Sequence, residues 1–460
     1  MKKLLFSAAA AGVLAALTGC DAHISTSGRW SDADLKAATN VVQVGAIPAR
    51  LKALEVDNRH GNIHITGTDQ GTTAWTWKLA VRARSISVAQ QIASGASCKA
   101  ELEGDHLNLV VSLPEAMEPH SVQSDFEITL PKSADVRVED HFGAVEISDL
   151  AGNVEATNEN GRLDIRNIGW SVRALTSFDK LHVSNTGPAA LKNQNGEIRA
   201  AGIGGPLQAN TSFDLLIARD VRGPATLANQ NGSIKAGGIG GLLDARTSFD
   251  SLLAKDIGGA ATLRNQNGLI EVSGVGGPLD ARTSFDALVA RDIGGPVHLR
   301  DQNGRVKVVQ ARGDADIETS FDSLTAEEIQ GDAILLNQNG GVKAAGITGS
   351  VKATTCFAAI DVTGAGSKFV CHNQNGAIRL RATSAALTNL EAKTSFDTLE
   401  VFLPGSLKPA IQAHTTFGDV ESDFPVLMNP RASEPFGDVA PGTARITLQN
   451  QNGKIGVLRD

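Results

Sequence analysis

The chain has 460 residues, 50 acidic against 42 basic side chains, a formal net charge of -8, 48 Gly, 15 Phe and no Tyr. An acidic balance without a basic run excludes the electrostatic footprint of a nucleic-acid binder and gives no patch for anionic lipid headgroups. Plentiful Gly with few aromatics suits short strands joined by tight turns.

In chain order, Lys2 and Lys3 precede an apolar run from Leu4 to Leu17 that ends in Leu17-Thr18-Gly19-Cys20. The run is too short for a comfortable transmembrane helix and has the anatomy of a secretory signal. Its end resembles the lipobox of bacterial lipoproteins, which implies a signal peptide over residues 1–19, a diacylated Cys20 carrying a palmitate-type chain, and attachment to the membrane through that N-terminal lipid. The expected location is extracytoplasmic. Asp21 resembles an inner-membrane retention signal of enterobacteria, but inner and outer membrane both stay open.

Residues 20–48 read as a polar tether. Residues 49–135 carry strand patterns, such as Leu54–Gly67 and the alternating His106–Pro114, without a fixed period, and read as an irregular N-terminal β cap. Regularity then takes over from 136 to 396. Asn-Gln-Asn-Gly, or Asp-Gln-Asn-Gly at Asp301, places Gly196, Gly232, Gly268, Gly304, Gly340 and Gly376 at intervals of 36 residues. Thr-Ser-Phe-Asp sits midway, ending at Asp179, Asp214, Asp250, Asp286 and Asp322. A unit of about 18 residues repeated this strictly predicts an all-β solenoid. Room exists for roughly 17 or 18 rungs stacked at about 4.8 Å.

Within a rung, alternation puts Ile198 and Ala200, then Ile203, then Leu207, Ala209 and Thr211 on one face. Ile198, Ile234, Ile270, Val306, Val342 and Ile378 should therefore stack with Leu181, Leu216, Leu252, Leu288, Leu324, Ile360 and Leu399. The facing Ala positions make the core thin, which favours a flattened two-sheet coil. Asn-Gly marks a corner because both residues tolerate positive φ. The first Asn of each motif shares a column with Thr (Asn193 with Thr211, Asn229 with Thr247) and can bridge rungs at a bend where the sheet ladder lapses. Phe213, Phe249, Phe285, Phe321 and Phe357 are either corner plugs or an exposed stripe for a repetitive ligand; their strand phase matches the buried Leu, so plugs are expected. The adjacent Asp is expected to be solvated. Cys356 and Cys371, 15 residues apart, are out of step with the rung and are expected as buried thiols rather than as a disulfide.

Residues 397–460 close the array with longer excursions. VDNRHGNIHITG, LPKSADVRVEDHFGAVEISDLAGNVEATNENGRLDIRN and LEVFLPGSLKPAIQAHTTFGDVESDFP followed by ARITLQNQNGKIGVL resemble the bacterial putative-adhesin family of β-strand-repeat lipoproteins, over roughly residues 50–460. The resemblance implies a β-solenoid. Together with the anchor it suggests a non-catalytic binding, adhesin-like or structural protein of the cell envelope, whose ligand would be an envelope polysaccharide or protein. A polysaccharide-acting enzyme on a β-helix scaffold is the alternative, and an envelope-stress sensing component is a further one. The nearest approach to a catalytic or metal constellation is His60, His64 and His141 with Asp57, and scattered surface histidines explain it better. No catalytic residue, metal site or cofactor is expected: the repeated Asp offers equivalent solvated carboxylates rather than one desolvated constellation, and the GIGGP and DIGGP corners lack a calcium-roll spacing.

Overall fold

A computed structural model describes residues 37–114, 120–428 and 442–460. The signal segment and Cys20 lie outside the described residues. The fold is an all-β solenoid of about 16 turns, each of about 18 residues and each supplying one strand to either of two sheets. The chain divides into two compact units, residues 1–223 and 224–460.

In the second unit, consecutive rungs stack as the periodicity predicts. Ile234 is in register with Leu252, and Leu252 with Ile270, along parallel strands Ile234–Ile239, Leu252–Ile257 and Ile270–Val275. The opposite sheet is built from shorter parallel strands, Leu243–Thr247, Ala261–Asn265 and Leu279–Arg282. Both sheets point aliphatic side chains inward, and Ile234, Leu252, Ile270 and Leu288 are fully buried. Each such side chain contributes roughly 1.5–3 kcal/mol relative to exposure. Ala236 and Ala245, also buried, sit at the middle of their strands and let the two sheets approach closely.

The longer strands do not alternate simply. Their burial runs inward, out, inward, out, out, inward, because the fifth residue has a left-handed backbone: Gly238, Asp256, Gly274, Asp292, Gln310, Glu328 and Gly346 all have φ between 53° and 69°. One extra residue per strand turns Ile239, Ile257, Val275 and Ile293 back into the core. Gly, Asp and Asn tolerate this conformation best, which accounts for the Gly or Asp before the inward Ile or Val at Ile239, Ile257, Val275, Ile293 and Ile347.

Both termini of the stack are interleaved. In the first unit Ala53–Asp57 lies between His106–Ser112 and Asp135–Asp140, and Ile63–Thr68 between His120–Pro131 and Val145–Leu150. In the second, Arg445–Asn450 enters between Asn389–Lys393 and Ala410–Thr415, while Ile455–Arg459 enters between Leu399–Leu403 and Val420–Ser422. A late segment inserted between earlier rungs ties the end of the array to its body.

Several expectations need correction. Ala37–Ala46, inside the segment read as a tether, is a strand paired antiparallel with Ala74–Ala83, which pairs antiparallel with His120–Pro131. Its alternation is masked because Val42 and Val44 lie on the exposed face opposite half-buried Val41 and Gln43, and its partner carries the strong signal: Trp77 is fully buried and donates from Nε1 to Ser124 Oγ at 2.7 Å. The N-terminal cap also contains a helix, Ile86–Gly95, started by Ser85, whose hydroxyl accepts the Val88 N–H. Ala89, Ile92 and Ala93 form its buried face, an i, i+3, i+4 pattern too short to stand out beside the strands. Cys356 and Cys371 are both free, as expected, but only Cys371 is buried, where burial pushes its thiol up to about 12; Cys356, in the bend after the strand, is half-buried rather than buried.

Candidate binding surfaces

One edge of the second unit is built from side chains. The short strands end in, or are followed directly by, Thr and Asn in alternation, with Asp301 in one Asn place, and these polar groups are buried in a dense array of contacts. Thr247 Oγ1 lies 2.8 Å from the Gly232 carbonyl of the preceding corner. Asn265 Nδ2 donates to the Asp250 carbonyl at 2.7 Å, and Asn265 Oδ1 accepts the Gly268 N–H at 3.2 Å. Thr283 repeats the first contact on the Gly268 carbonyl and Asn337 the second on the Asp322 carbonyl, at 2.8 and 2.5 Å. Each residue thus satisfies a carbonyl that the bend removes from the sheet ladder. Asparagine was expected to bridge rungs, and it does.

The glycine of this corner works differently from expectation. Gly268 is absent from the residues with positive φ, whereas Asp250 has φ 63°. Glycine is required by proximity: a Cβ on Gly268 would lie 1.8 Å from the Asp250 carbonyl oxygen.

Because buried Thr and Asn close the bend, the following residues face outward. Phe249, Phe285, Phe321 and Phe357 are exposed by 50%, 62%, 59% and 60%, so the expectation of corner plugs is overturned. The strand stops at the Thr, and the bend after it breaks the phase on which that expectation rested. The first unit shows the same at Phe178 and Phe213. In the second unit the four rings follow strands separated by one intervening strand, which sets them about 9.6 Å apart in a single file. The corners of the intervening rungs carry Gln266, Gln302 and Gln338, one place before the Phe column, all exposed and with no hydrogen-bond partner within the protein for their side-chain amides among the described residues. Asp250, Asp286 and Asp322 flank the rings and are exposed, as expected; each accepts the N–H of the next residue with one carboxylate oxygen.

Other surfaces are less organised. Arg246, Arg264, Arg282 and Arg300 form a register-matched row on the short-strand sheet. The row is countered by acidic neighbours: Arg282 pairs with Asp280 at 3.2 Å, and Arg300 with Asp316 at 2.6 Å and Glu318 at 3.2 Å. An open depression of about 580 Å³ lies along the glycine edge, with Asp256, Asp292 and Arg312 on its walls.

The histidines considered for chemistry are engaged separately. His60 stacks on Phe142 with ring centroids 5.1 Å apart, His64 lies 3.5 Å from Glu146, and His141 lies 3.0 Å from Glu159. Among the described residues no group of three or more His, Cys, Asp or Glu is placed to hold a metal ion. No described helix is long and apolar enough to cross a membrane.

No protein-family profile and no curated sequence matches the chain. Among solved structures it is similar to a "putative cell adhesion protein" from Clostridium sporogenes at 8% identity, over 92% of this chain and 100% of that one, with a TM-score of 0.15. A "putative adhesin" from Bacteroides fragilis matches at 12% identity over 67% of this chain and 96% of that one, TM-score 0.21. Another from Parabacteroides distasonis matches at 11% identity over 72% and 96%, TM-score 0.19. Superposition at that level carries no functional argument, and the β-solenoid stands on the register of this chain's own strands.

Sequence reasoning missed two features of these surfaces, the outward Phe file and the left-handed column at Gly238, Asp256, Gly274 and Asp292. The second had a signal: Gly or Asp, residues of high left-handed tolerance, stand there on most rungs, with Gln310 and Glu328 as the exceptions.

Proposed function

We propose that this protein is a non-catalytic, adhesin-like binding protein of the cell envelope, held to a membrane by a lipid on Cys20 and engaging a repetitive ligand along its phenylalanine edge. The supporting observation is the file of half-exposed or more exposed Phe rings at Phe249, Phe285, Phe321 and Phe357. A monomeric soluble surface rarely keeps aligned large apolar groups in water unless they meet a partner. Repetition argues for binding over catalysis, since each rung offers the same modest contact and affinity accumulates along the edge.

Envelope polymer and protein fractions, incubated with full-length protein in detergent, test this reading. Retention is expected for the native chain and should fall at least tenfold for F285S/F321S. Equal retention of both would remove the Phe edge from the function. The anchor is tested separately: C20A should leave membranes on carbonate washing, and continued association would rule out lipid attachment at that residue.

A further inference from the structure

The ligand's chemistry can be taken one step further, resting on the reading of the Phe edge as the binding surface. Three properties of the edge constrain what lies along it. First, the rings repeat at every second rung, about 9.6 Å, so a partner must present an apolar face at that interval. An extended β-linked glycan has such a repeat, because successive sugars are flipped and the same face returns every disaccharide. Second, a pyranose offers a patch of C–H groups that lies flat on an aromatic ring while its hydroxyls stay at the rim. The rim groups here are matched: the exposed Gln266, Gln302 and Gln338 amides have donors and acceptors to spare, and Asp250, Asp286 and Asp322 are acceptors. Third, those carboxylates repeat with the rings on an exposed edge, and a polymer carrying a negative group at every repeat would meet one at each contact. The edge therefore favours an uncharged chain over a uronate or phosphate polymer.

We infer that the edge formed by Phe249, Phe285, Phe321 and Phe357 binds a neutral, linear, β-linked glycan, one ring to each disaccharide, with the Gln and Asp side chains hydrogen-bonding the hydroxyls between.

Native affinity gels with full-length protein in detergent, cast with hydroxyethyl-cellulose, glycol-chitin or alginate, provide the test. Retardation by one of the two uncharged polymers and not by alginate is expected. F285A/F321A should weaken it at least tenfold, Q302A two- to fivefold, and both variants should keep the β-type circular dichroism of the parent. Soluble β-1,4 oligosaccharides should compete with a step in potency for each added disaccharide. Retardation by alginate alone would overturn the inference while leaving a Phe-edge binder standing. Retardation by neutral polymer that F285A/F321A does not change would overturn it as well. Sedimentation showing a Phe-dependent dimer and no polymer binding would make the edge an interface between copies of this chain, again overturning the inference. Failure of the envelope retention test is a separate outcome and would remove the reading beneath it.

Discussion

The two edges of the second unit turn the chain through the same bend by opposite means. At the glycine edge the backbone stacks closely where glycine stands, a Cβ on Gly276 lying 2.5 Å from the Gly258 carbonyl oxygen, while the same corner place carries exposed Arg312, Gln330 and Thr348 on other rungs. At the other edge buried Thr and Asn bridge successive bends, and their outward neighbours, Phe and Gln, are released from any structural duty. The glycine edge thus changes what it shows from rung to rung, whereas the edge closed by buried side chains holds one large apolar residue in the open at every second rung.

The largest effect should come from crowding the side-chain edge at its one backbone-limited point. G268V places a β-branched group where even a Cβ would lie 1.8 Å from the Asp250 carbonyl and 2.7 Å from Asn265 Nδ2. A loss of about 3 kcal/mol or more in urea unfolding is expected. The cause is overpacking against backbone, since φ at Gly268 is not left-handed. An unchanged midpoint would mean that the corner opens without cost and that close backbone approach does not limit this edge.

The same polar column runs through the first unit as Asn58, Asp140 and Asn158, aligned by the register of their strands. Asp140 is buried and both its carboxylate oxygens lack a hydrogen-bond partner. Burial pushes its carboxyl up to about 7, reinforced by Asp125 and Asp57, while the amides of His141 and Phe142 oppose the shift without completing a hydrogen bond. A carboxyl raised in the folded state binds its proton more tightly there than in the unfolded chain. Its stabilising share is therefore present below the ordinary value of 3.8 and is lost as pH rises toward 7. D140N should raise stability at pH 8 by on the order of 2–4 kcal/mol and lose that advantage toward pH 4. Parallel pH profiles for the two proteins would show that Asp140 does not titrate in this range.

Removing a bridging amide should cost somewhat less. Asn337 donates to the carbonyls of Asp322 and Gly341 at 2.5 and 3.3 Å and accepts the Gly340 N–H at 2.9 Å. N337A leaves these groups buried without partners, at about 1–3 kcal/mol. Guanidinium melts compared with N337D would separate the lost donor from the lost acceptor.

Much of this organisation is legible in the sequence. The period, the aliphatic columns and the Asn–Thr alternation follow from spacing alone, because a strand's two-residue period and a rung's fixed length leave few choices of face. The Phe file was not legible, since an apolar residue in phase with buried neighbours is exposed only if the strand has already ended, and that is decided by hydrogen bonds from Thr247 and Asn265 to residues about 15 positions earlier. The strand Ala37–Ala46 was hidden for a related reason: Val42 and Val44 are exposed and its other face, Thr39, Val41, Gln43 and Gly45, is only half-buried, so its place comes from its partner Ala74–Ala83.

The smallest and most selective test lies at Asp301, the single Asp among the Asn-Gly motifs of the array. Its Oδ1 accepts the N–H groups of Asn303 and Gly304 at 3.2 and 3.1 Å, as the Asn side chains do. Its Oδ2 is buried without a partner, and a Cβ on Gly304 would meet it at 2.4 Å and the Asp286 carbonyl at 2.1 Å, the positions that Asn265 Nδ2 and the Asp250 carbonyl hold around Gly268. An acceptor thus stands in a donor's place, facing another acceptor, unless the carboxyl carries a proton. Burial raises its affinity for that proton, with a further contribution from Asp286, against the pull of the neighbouring amides. The proton lets Oδ2 donate to the Asp286 carbonyl and complete the bridge, and it is lost as pH climbs from 3.8 through the raised value. D301N restores a permanent donor, so it should stabilise the protein by about 1 kcal/mol at pH 7–8 and by nothing measurable below pH 4. A gain that persisted undiminished into acid would mean that Asp301 is never protonated in the folded chain, and that the bridge between corners contributes less than the side-chain edge requires.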